Sequence, residues 1–119
     1  MKRIFAAAAF GLMLAGQSFA PALADDCTRP PAPSVPKGAE ANNDEMVAAH
    51  HAVKAYMADT QGYLDCLQNL ENRHKEAETL TPELQQEYLT RYNAAVDSME
   101  TVAAEFNQAV RDYKAANPQ

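Results

Sequence analysis

TLTPEL, residues 79–84, interrupts one apolar rhythm and begins another. Thr81 suits a helix N-cap, Pro82 suits the first helical position, where no amide partner is needed, and Glu83 favours the positive end of the helix dipole. A helix therefore starts here, and whatever precedes it must turn.

Upstream, Met46, Ala49, His50, Val53, Tyr56, Met57, Thr60, Tyr63, Leu64, Leu67, Leu70 and His74 form one broad stripe at three- and four-residue spacing. Charges occupy the other side, which predicts a first helix over about 43–78. Downstream, Tyr88, Tyr92, Ala95, Met99, Val102, Phe106, Ala109 and Tyr113 repeat the rhythm, and Leu89, Val96, Ala103 and Val110 form a neighbouring seam. Asn117-Pro118 ends this second helix, predicted over about 82–116. No segment alternates with the period of two that a strand requires.

A turn of two or three residues between long helices makes them antiparallel neighbours. Folding the chain at Leu80 sets Leu64 against Val96, Met57 against Ala103, Val53 against Phe106 and His50 against Val110. A repeat of seven along both stripes predicts a gentle left-handed coil. The hairpin spans 43–119 as one domain. Two helices alone bury too little, so something else must cover the stripe.

DDCTRPPAPSVPKG, residues 25–38, supplies a cover. Pro30, Pro31, Pro33 and Pro36 favour an extended polyproline arm, about 34 Å from Cys27 to Gly38. The distance from Asn43 to Cys66 along a helix is about 35 Å. The arm and its turn, residues 25–42, can thus lie back along the first helix with a Cys27–Cys66 bond at the far end. Gly62, one turn before Cys66, reads as the gap through which the arm passes, because a helical glycine costs about 1 kcal/mol against alanine. This register places Val35 and Pro36 over Met46 to His50, and Arg29 near Asp59, Gly62 or Asp65. The predicted fold is all-α: an antiparallel, coiled-coil-like two-helix hairpin with a proline-rich arm stapled to helix 1.

Residues 1–24 read as a secretory signal peptide: basic Lys2 and Arg3, an apolar stretch from Ile4 to Ala15, and small residues before cleavage after Ala24. The apolar run is shorter than the roughly 20 residues that cross a bilayer. Export to a periplasmic or secreted setting follows, and two cysteines in an oxidising compartment read as a disulfide. The leader holds two of the ten basic residues and none of the sixteen acidic ones, so the mature chain carries a net charge of −8. That charge disfavours nucleic acid, and with no further apolar run no membrane contact is expected after cleavage.

Few residue patterns suggest chemistry. Met46, His50 and His51 are candidate ligands for copper, whose reduced form takes thioether and imidazole, but a methionine on an apolar stripe is ordinarily core. Glu71 and His74 have the spacing of di-iron bundles, which need a second such motif that the chain lacks. No nucleophile elbow and no Cys-x-x-Cys occurs. The reading is a non-enzymatic protein without a cofactor. Its partner is an unidentified protein or a second copy.

The set Cys27, the proline arm, Glu45-Met46, Val53-Lys54, Tyr63-Leu64, Cys66-Leu67, Tyr92-Asn93, Phe106-Asn107 and Val110-Arg111 resembles small exported proteobacterial helical proteins of unknown function. That resemblance implies a periplasmic setting and no activity. LTPELQQ, residues 80–86, is similar to a motif of periplasmic stress chaperones of the Spy and CpxP type, with Leu84 where those proteins carry glutamine. This second likeness implies holdase-like chaperone activity as an alternative to a structural or interaction role, with metal binding as a third reading.

Overall fold

The computed structural model describes residues 27–118; the leader and its cleavage site lie outside them. Two helices pack against each other as a helical hairpin, α1 over Asn43–Glu76 and α2 over Pro82–Ala116.

Local chemistry sets the ends. Asn42 caps α1 by accepting from the Glu45 amide at 2.8 Å, while the Glu45 carboxylate accepts from the Asn42 amide at 2.9 Å. This reciprocal pair satisfies two amides that a helix start leaves open. Asp44 and Glu45 sit in the first turn and Arg73, His74 and Lys75 in the last, matching the dipole at both ends.

α1 stops two residues short of the predicted boundary because Glu78 adopts a left-handed conformation, φ 57°. The Glu78 amide donates to the Lys75 carbonyl and the Thr79 amide to the His74 carbonyl, a closure that needs a left-handed residue at this place. The connection between the helices, residues 77–81, is correspondingly longer than the two or three residues expected. Thr81 then caps α2 by accepting from the Leu84 amide at 3.1 Å, with Pro82 at its start.

Cross-helix partners descend in α1 as they ascend in α2. His74 lies beside Tyr88, with ring centroids 6.1 Å apart, Tyr63 pairs with Arg91, Tyr56 with Ser98, and His50 with Phe106. In α1 the buried set is Met46, Ala49, Val53, Tyr56, Thr60, Tyr63, Leu64, Leu67 and Leu70. In α2 it is Tyr88, Ala95, Val102 and Ala109, spaced by seven. The predicted second seam is only partly enclosed: Val96, Ala103 and Val110 are half-buried, and Leu89 is 51% exposed. The Thr60 hydroxyl is wholly buried and has no hydrogen-bond partner among the described residues.

Residues 27–37 have no regular secondary structure, and a turn follows at 38–40. Burial in this segment recurs every third residue, with Cys27 buried and Pro30, Pro33 and Pro36 half-buried, and Val35 is half-buried as well, while Pro31, Ala32 and Ser34 are exposed. Pro31 therefore does not belong to the packing set predicted for it, since it falls between contacting positions.

Candidate functional site

The segment before α1 meets the hairpin at four places, Cys27, Arg29, Val35 and Gly38, and α2 takes part at each. Cys27 and Cys66 form a disulfide with Cα atoms 5.7 Å apart, 39 residues apart in sequence. Beside it, Arg91 of α2 donates from Nη2 to the Cys27 carbonyl and from Nε to the Tyr63 hydroxyl, both at 3.1 Å. The guanidinium also stands 5.7 Å from the centre of the Tyr63 ring, a cation–π distance.

Next along the segment, Arg29 donates to the Ala94 carbonyl at 3.2 Å. The expected position of Arg29 near Asp59, Gly62 or Asp65 is thereby corrected. Val35 packs on the cluster of Val53, Tyr56 and Val102, about one to two helical turns from the predicted cover of Met46 to His50. Gly38 closes the series. A Cβ there would overlap the Ala109 carbonyl and lie 2.8 Å from the Tyr113 nitrogen, so the backbone meets α2 where only glycine fits.

Gly62 does not serve the purpose predicted for it. A Cβ built there would meet no heavy atom within 4 Å. The close approach requiring glycine is that of Gly38 on α2, and the space at Gly62 opens instead into a cleft. That cleft, about 260 Å³, is lined by Cys27, Gly62, Asp65, Cys66, Asn69, Leu70 and Arg73.

Two further clefts lie on the other side of α1. Gln68 is two residues from Cys66, which turns its side chain about 200° away around the helix. One cleft of about 270 Å³ is lined by Leu67, Gln68, Glu71, Gln85, Tyr88, Leu89 and Tyr92. The other, about 290 Å³, is lined by His50, Val53, Lys54, Met57, Ala103, Phe106 and Asn107. Half-buried Tyr92, Val96, Met99, Ala103 and Phe106 lie at or between them along α2. This face is apolar in an acidic chain.

Of the candidate metal ligands, Met46 is buried in α1, whereas His50 and His51 are exposed with ring centroids 5.6 Å apart. Among the described residues no group of three or more His, Cys, Asp or Glu side chains is arranged to hold a metal ion. His74 places Nδ1 2.7 Å from the Thr79 hydroxyl, and Glu71 pairs with Lys75 at 3.6 Å, so both have partners at the α1 end.

Arg91 escaped the sequence reading. Its signal was present: Leu84, Arg91 and Ser98 are spaced by seven beside the stripe, so Arg91 falls on the inward column. A cation there needs a buried acceptor, and the Cys27 carbonyl is one.

No helix among the described residues is long and apolar enough to cross a membrane. No family model, curated protein or solved structure matches this chain.

Proposed function

We propose that the chain is an exported, non-enzymatic interaction module. It is an antiparallel, coiled-coil-like helix pair with a proline-rich strap in a polyproline conformation, and it offers its strap-free face to a protein partner or a second copy. The observation that carries this reading is that face, where Tyr92, Val96, Met99, Ala103 and Phe106 are only half-buried and Leu89 is 51% exposed. A contiguous apolar surface of this kind on a small chain marks an interaction site.

The disulfide is compatible with an oxidising compartment and supports export, as does the leader sequence. The clefts, about 260–290 Å³, fall just below the size range of typical small-molecule sites, which supports a surface role over catalysis.

Sedimentation across a range of concentrations tests self-association, and Phe106→Lys and Leu89→Lys should weaken it. Affinity capture with the same variants as controls tests a heterologous partner. A strict monomer whose face binds neither a partner nor an apolar dye would defeat the reading. A holdase-like chaperone would use this same open face, and suppression of client aggregation, lost in Phe106→Lys, is its distinguishing result.

A further inference from the structure

Packing leaves the glycine in the middle of α1 unexplained. Gly62 meets nothing, yet it costs helix stability relative to alanine, so packing does not require it. Its effect is to open the space beside Cys66. The two half-cystines form one wall of the resulting cleft, with Asp65, Asn69 and Arg73 as polar groups around them. Cys66 is half-buried, more open than Cys27 at 9% exposure.

We propose that this cleft admits a thiol nucleophile and that the Cys27–Cys66 bond is a clasp, opened by a dithiol protein of the Cys-x-x-Cys class and releasing the strap. The attacking thiolate forms a bond to Cys66 Sγ as the Cys27–Cys66 bond breaks, its electron pair leaving on Cys27 Sγ. The second thiolate of the reductant then attacks its own mixed disulfide and frees Cys66. The reductant ends as a disulfide, and its two protons end on Cys27 and Cys66, so two electrons have moved.

The surroundings assign these roles. Arg91, bonded to the Cys27 carbonyl, favours negative charge on the departing sulfur, whereas the cleft beside Cys66 holds one charge of each sign, Asp65 and Arg73, which offset each other. Once the bond opens, hydrogen bonds still link this end of the strap to α2, among them Arg91 donating to the Cys27 carbonyl and Arg29 donating to the Ala94 carbonyl. Gly38 on α2 is the point about which the strap lifts, uncovering Tyr63, Leu67, Tyr56 and Val102. The proposal is independent of which partner the opposite face takes.

The test is the rate of reduction of the oxidised, leaderless protein by dithiothreitol without denaturant, followed by thiol alkylation and mass spectrometry. The rate should rise linearly with dithiol. Gly62→Leu should slow it about tenfold or more by filling the cleft, while Gly62→Ala, which strengthens the helix equally but fills less, should slow it far less. On reduction, binding of an apolar dye should rise with far-ultraviolet ellipticity retained. Equal slowing by Ala and Leu, or a rate that saturates at the unfolding rate, would show access only through unfolding and overturn the proposal. So would loss of helicity on reduction, or retained helicity with no gain in dye binding.

Discussion

Two glycines in this chain look alike in sequence and differ in what the structure asks of them. At Gly38 any side chain would drive into the backbone of Ala109 and Tyr113, atoms that cannot move without displacing α2. Gly38→Ala is therefore expected to cost about 2 kcal/mol or more, as overpacking against a rigid wall does. At Gly62 nothing opposes a methyl group, and the substitution replaces the poorer helix former with the better. Gly62→Ala should stabilise by about 1 kcal/mol. Urea denaturation of the two variants checks the pair, and the opposite order of stabilities would mean that the segment before α1 does not rest on α2. In sequence, the glycine one turn before Cys66 marks a passage for the arm only if α1 alone is the arm's bed. Comparing arm length with helix length fixes position along an axis and says nothing of the angle around it. The contacts of Arg29, Gly38 and Cys27 with α2 are matters of angle, and so they were not legible.

The helices themselves were legible because each is marked redundantly by period, cap and charge. The start of α1 at Asn43 and both ends of α2 fall where those signals put them. Only the exit from α1 was misplaced, and there the local signal is unusual: a glutamate holds the left-handed position that ordinarily calls for glycine. Glu78 pays for that conformation by crowding its Cβ against its own backbone. Glu78→Gly should relieve about 1 kcal/mol and raise the melting temperature, since the hydrogen bonds from Glu78 and Thr79 to Lys75 and His74 keep their geometry. Glu78→Val should lower it, because a branched side chain suits that region least. If both variants melted with the parent, the α1 exit would contribute nothing to the stability of the hairpin.

At the scale of the whole molecule, a pair of helices has too little interior for its surface, and the strap changes that balance. Buried positions in α2 recur only every seven residues, so one column of that helix is fully enclosed, with Val35 packed where the Val102 part of it meets Val53 and Tyr56. Cys27 plays the same part at the other end, beside Tyr63, Leu64 and Leu67. Removing the strap should therefore do more than removing the disulfide. The double variant Cys27→Ser, Cys66→Ser loses the chain-entropy advantage of a loop closed over 39 residues, about 4 kcal/mol, yet keeps the strap tethered at Gly38, where even when released from Cys66 it competes within the chain against a second hairpin for the seam. A chain beginning at Gly38 loses both and leaves Val53, Tyr56, Tyr63 and Leu67 facing water. Its helical content should fall at low concentration and recover as concentration rises, because a second hairpin is then what covers the seam. The cysteine double variant should show reduced stability without that concentration dependence. Far-ultraviolet ellipticity measured over a hundredfold dilution series, about the range that separates a weak dimer from its monomer, distinguishes the two. Identical dilution curves for the parent and the shortened chain would mean that two helices suffice, and that the prolines are no part of the core.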